Sequence, residues 1–150
     1  MKMNRNKVLR YSIAVVLAAF GLLTLFLSSS VIFDLFGIRA KEGNYVLFVV
    51  KANFIASVLY LFAAYGLIGR KKWTTLPLYV SIAVLITAFV GLFVHINSGG
   101  IYETKTIGAM VFRITLTLLF AAAAYFLFKT TKGKREKNLN TMLVNIHLSK

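Results

Sequence analysis

Long apolar runs separated by short polar stretches dominate the chain, and their lengths set the first constraint on its architecture. From Tyr11 to Phe33 no charged side chain interrupts the run, which exceeds the ~20 apolar residues needed to cross ~30 Å of hydrocarbon. A second run extends from about Tyr45 to Ile68 and carries Lys51 near its start, and a third from about Leu76 to Val94. Pro77 falls in the first turn of that third run, where its missing N–H costs nothing, and Thr74 or Thr75 can cap the helix. The fourth run, from about Thr106 to Phe128, contains Arg113. The charge-free piece after Arg113 would reach only about 22 Å at 1.5 Å per residue, so Arg113 is expected within the outer third of the membrane or snorkelling out of it. The pattern predicts an all-α, integral membrane four-helix bundle over residues 1–128, with spans at about 11–33, 45–68, 76–94 and 106–128.

Beyond Phe128 the composition shifts to Lys, Thr, Gly and Asn, so residues 129–138 read as a solvated linker hugging the membrane. Leu139, Met142, Leu143 and Ile146 then fall at helical spacing on one face. Residues 129–150 are therefore expected to be a basic tail, either frayed or carrying an interfacial helix. Lys129, Lys132, Lys134, Arg135 and Lys137 would bind anionic lipids there.

Lys and Arg are distributed unevenly. Lys2, Arg5, Lys7 and Arg10 precede the first span, Arg70, Lys71 and Lys72 lie between the second and third, and six more cations follow the fourth. The two remaining loops hold Arg39, Lys41 and Lys105. By the positive-inside rule both termini are cytoplasmic. A cleaved signal peptide is the alternative for the first run, since Ser28, Ser29 and Ser30 follow a basic start, but the run is longer than the 7–15 residues of an h-region.

A net charge of +14 raises the possibility of nucleic-acid binding, yet the cations flank apolar runs instead of sharing a soluble face with them, which points to a bilayer. The absence of cysteine removes disulfides, thiolate metal sites and CxxC redox chemistry. One span-end His with scattered carboxylates matches no metal-ligand spacing, and no cofactor is expected.

Helices in a bilayer associate through small and polar residues. Ala14, Ala18 and Gly21 supply such a face on the first span, and Asn53, Ser57, Tyr60 and Ala64 on the second. Ser81, Ala88, Gly91 and His95 align on the third, as do Thr106, Met110, Arg113, Thr117, Ala121 and Ala124 on the fourth. Three of the four acids, Asp34, Glu42 and Glu103, lie in or beside the outer loops, the side from which Lys51 and Arg113 enter the membrane. Charges inside spans cost ~2.5–3.5 kcal/mol on insertion scales and mark a site or an internal ion pair. Three readings follow. Lys51 and Arg113 snorkel or pair with Asp34, Glu42 and Glu103; or they form a cationic pocket with Asn53, His95, Glu103 and Thr117 for an anionic headgroup, carboxylate or other small ligand; or His95 and Glu103 act as acid–base groups.

The plan of basic N-terminus, four spans, charged outer loops and basic tail, together with Gly66-Leu67-Ile68-Gly69-Arg70 after the second span and Tyr102-Glu103-Thr104-Lys105 leading to Arg113, resembles the small four-span bacterial inner-membrane proteins grouped as DoxX-like. The resemblance covers the membrane portion, transfers no functional residue, and implies a bacterial inner membrane and an accessory role. The function expected is therefore a non-enzymatic accessory or lipid- or ligand-binding component, whose partners are the bilayer, its anionic lipids and another membrane protein or a second copy. A small transporter or oligomeric channel is the alternative, and a membrane enzyme using His95 and Glu103 the third.

Overall fold

The apolar runs close as helices because each lacks an interior proline and satisfies its own backbone polar groups. A computed structural model describes residues 5–148, without the side chains of Thr130, Thr131 and Lys134. Lys2 and Lys150, counted in the charge distribution, lie outside the described residues, as does the Lys134 side chain named for the tail. Among the described residues every regular element is helical: α1 (Arg5–Ile32), a single turn α2 (Ile38–Lys41), α3 (Leu47–Ile68), a 3-10 turn over Lys72–Thr74, α4 (Thr75–Asn97) and α5 (Thr104–Leu148). Four of these helices are long and apolar enough to cross a membrane. The long helices alternate in direction. One end of the bundle therefore holds the α1–α3 and α4–α5 connections, termed the loop end; the other is the terminal end, where α1 begins and α5 leaves the bundle.

Three of the helices finish in the same way. Leu35 N–H donates to the Ser30 carbonyl at 2.8 Å, Lys71 N–H to Gly66 at 2.9 Å and Gly100 N–H to His95 at 2.9 Å. Each is the wide-ring bond of a Schellman end, and the residue before each donor is left-handed: Asp34, Arg70 and Gly99. Orphan carbonyls at the last turns are thus satisfied without water.

The helices pack through spaced small and branched residues. Ala14, Leu17, Gly21, Thr24, Ser28 and Val31 form a buried stripe on α1, alternating three and four residues apart as a bundle seam requires, with Ser30 buried beside its end. Ala18, expected on this face, is only partly buried against the core. A Cβ on Gly21 would lie 3.2 Å from the Tyr60 Cβ and 3.3 Å from the Ser57 carbonyl oxygen, so α1 and α3 approach closely there. Leu78, Ser81, Leu85, Ala88 and Leu92 form the equivalent stripe on α4. α1 packs along α3, α3 along α4 and α4 along α5, while α1 and α5 touch only locally. At that local contact the Phe20 and Phe112 rings meet edge-on, 6.4 Å apart.

The first part of the tail differs from expectation, while the helical alternative for its second part matches the observed helix. No linker interrupts residues 129–138; α5 runs unbroken for 45 residues to Leu148. Propagation adds one hydrogen bond per residue to an existing helix whereas nucleation is costly, and the stretch contains no proline to stop it.

Candidate functional site

Because α3 starts and α4 finishes at the loop end, Lys51 in the second turn of α3 and His95 in the last turn of α4 come to the same place. Between them opens a groove of about 540 Å³, lined by Lys51, His95, Tyr45, Leu47, Phe48 and Ile101 among others. Its walls are apolar and aromatic, and its polar groups are few. The His95 ring stands edge-on to Phe48, with centroids 6.1 Å apart and planes at 77°. Its Nε2 lies 3.2 Å from the Ile101 carbonyl oxygen, and a Cβ on Gly100 would run into the ring. A neutral His95 that donates through Nε2 leaves Nδ1 as an acceptor. Lys51 is exposed, and among the described residues no carboxylate lies within 4.0 Å of its ammonium.

The other residues marked by the sequence take separate positions. Glu103 accepts the Asn44 N–H through Oε1 at 3.2 Å and packs over Gly43, where a Cβ would sit 2.7 Å from that oxygen. It therefore ties the α4–α5 connection to the start of α3, and it and His95 are each engaged by a different stretch of backbone. Asp34 meets Arg39 at 3.7 Å, not Lys51 or Arg113. Arg113 is half-buried and has no carboxylate within 4.0 Å among the described residues.

Thr117 lies deeper. Its hydroxyl donates to the Arg113 carbonyl at 2.6 Å and lies 2.6 Å from the Tyr60 hydroxyl. Since the single Thr117 proton is committed to the carbonyl, Tyr60 is the donor of the second bond. Asn53 on α3 holds a buried Oδ1 without a hydrogen-bond partner among the described residues, an acceptor that favours a donor. The six residues thus divide into a groove pair, Lys51 and His95; a loop tie, Glu103; and an interior group, Arg113, Thr117 and Asn53.

Arg39, which the sequence marks only as one of three loop cations, organises this end of the bundle. Its Nε donates to the Val31 carbonyl and its Nη2 to the Ile32 carbonyl, both at 2.9 Å, while its guanidinium lies 5.9 Å from the Tyr45 ring centroid. It caps the end of α1 and holds Tyr45 at the groove mouth. The signal available was a cation a few residues past a helix end, where basic side chains meet terminal carbonyls. The groove walls Tyr45, Phe48 and Ile101 carried no comparable signal. Among the described residues no three His, Asp or Glu side chains gather as a metal site.

No family model, curated protein or solved structure matches the chain.

Proposed function

We propose that the chain is a multi-pass membrane protein with both termini in the cytoplasm, and that its loop-end groove, on the exoplasmic side, seats an amphiphile bearing an anionic headgroup. The observation that carries this reading is Lys51, a cation with no carboxylate within 4.0 Å among the described residues, at the rim of a groove walled by Leu47, Phe48 and Ile101. An ammonium near a span end reaches the headgroup layer, where charge-assisted bonds to phosphate or carboxylate form at ~2.7–2.9 Å. The apolar walls suit an acyl chain, and Tyr45 suits the interface. The role is that of a non-enzymatic accessory or lipid-binding component, in keeping with the four-span plan of the bacterial inner-membrane proteins it resembles.

Native mass spectrometry in mild detergent tests this with phosphatidylglycerol and phosphatidylcholine as competing probes. The wild-type chain is expected to retain phosphatidylglycerol in preference. Lys51→Met should lower that retention about tenfold, a loss of roughly 1.4 kcal/mol. Equal retention of both lipids by the wild type, or unchanged retention in Lys51→Met, overturns the reading.

A further inference from the structure

The helix α5 does not end where its apolar run ends. Past Phe128 it continues for 20 residues to Leu148, about 30 Å at 1.5 Å per residue. Leu139, Met142 and Leu143 on this extension are 59%, 67% and 58% exposed. Side chains that apolar make a surface for something else.

The register of the helix says where that surface points. Ala121 and Ala124 are buried in the bundle, and Phe128 packs against the same core. Leu139 and Met142 follow Ala121 and Ala124 by 18 residues, five turns at 3.6 residues per turn, and Ile146 follows Phe128 by the same step. The stripe therefore lies on the bundle side of α5 and overhangs the terminal end. That end is strongly basic: Lys7, Arg70, Lys71 and Lys72 are exposed there, as are Lys129, Lys132, Arg135 and Lys137 on α5. From residue 129 onward the sequence has six cations and one acid, Glu136.

Charge and register together select the occupant. A second copy paired along this stripe would set Lys132 and Arg135, which precede Leu139 on the same face, against their own counterparts, and like charges at a helix seam repel. An anionic leaflet would attract the cations. But a stripe on the bundle side, folded down apolar face first, would lie across the basic end of its own bundle instead of on lipid.

We propose that the notch between this stripe and the terminal end takes an acidic amphipathic helix of a cytoplasmic protein. The apolar face of that helix packs on Leu139, Met142 and Leu143, and its carboxylates meet Arg70, Lys71, Lys72 and the α5 cations, the helix-in-groove mode of recognition. The partner's cytoplasmic location rests on the orientation proposed above; the notch itself does not.

The test uses the full chain in nanodiscs, which leave both faces accessible, so that its outcome is independent of orientation. The chain has no cysteine, and a spin label on Met142→Cys reports the stripe alone. The probe is a synthetic helical peptide with leucines on one face and glutamates on the other, with a lysine version as control. The label is expected to be water-accessible in phosphatidylcholine and phosphatidylglycerol discs alike, and to be immobilised by the acidic peptide and not by the basic one. Added salt should weaken binding, and Leu139→Glu with Leu143→Glu should lower it at least about tenfold while thermal unfolding of the bundle is unchanged. Any of three results overturns the proposal: a label sunk in lipid in the phosphatidylglycerol discs, dipolar coupling between labels of two copies without peptide, or no immobilisation by the acidic peptide.

Discussion

The hydroxyl of Tyr60 on α3 lies 2.6 Å from that of Thr117 on α5, and both side chains are fully buried. This bond spans two helices that are not sequential neighbours in the packing order, and its two halves are unequal. Tyr60→Phe leaves the Thr117 proton on the Arg113 carbonyl, whereas Thr117→Val strands a buried phenolic proton. Thr117→Val is therefore expected to cost about 1–3 kcal/mol and Tyr60→Phe about 0.6, the typical worth of an interhelical bond in a membrane. Reversible unfolding in mixed micelles measures both; a larger loss for Tyr60→Phe would reverse the donor assignment.

Gly66 faces Thr74 across the tight α3–α4 turn, and an added Cβ would lie 2.6 Å from Thr74 Oγ1 and 3.4 Å from its Cα. That hydroxyl is already held, donating to the Lys71 carbonyl at 2.5 Å. Gly66→Ala should destabilise by about 1–3 kcal/mol through overpacking. Among the described residues nothing lies within 4 Å of a Cβ added to Gly108, so Gly108→Ala should raise stability by up to about 1 kcal/mol from helix propensity. The two substitutions, compared in one unfolding series, should shift in opposite directions.

Arg39 holds the end of α1 with a fork that lysine cannot reproduce. Its side chain is 36% exposed, so solvent reduces the worth of its bonds, and Arg39→Lys should cost about 1 kcal/mol. Hydrogen exchange at Leu35 and at the start of α3 should accelerate. Asp34→Asn should leave exchange nearly unchanged, since the 3.7 Å pair it breaks is exposed on both sides and worth ~0–1 kcal/mol.

Arg113 contributes its carbonyl to the interior, while its guanidinium has no carboxylate within 4.0 Å among the described residues. Arg113→Met is expected to fold with equal or greater stability, because replacing a half-buried cation by an apolar side chain removes its desolvation cost. A loss above about 3 kcal/mol would instead indicate a paired charge.

Lys41 and Lys72 are exposed at opposite ends of the bundle, and with no native cysteine each can be replaced by one without background. A membrane-impermeant maleimide on intact cells should label Lys41→Cys and leave Lys72→Cys unlabelled until the membrane is opened. The opposite pattern would invert the orientation drawn from the Lys and Arg bias.

The sequence alone determined the four long helices, because the apolar runs are local and long enough to report themselves. The expected start at Tyr11 fell six residues inside α1, and the expected end at Val94 three residues before that of α4; polar residues at helix ends carry no apolar signal. Alternation along those helices also placed Lys51 and His95 at one end. The tertiary structure alone decided that they share a groove, since that depends on α3 and α4 being neighbours and on how each is rotated about its axis. The same rotations sent Glu103 to Asn44 and Thr117 to Tyr60, contacts between residues 59 and 57 positions apart that no spacing rule encodes. The continuity of α5 likewise lay beyond local composition: Lys, Thr and Asn suit coil and helix alike, and the helix already formed upstream tips the balance.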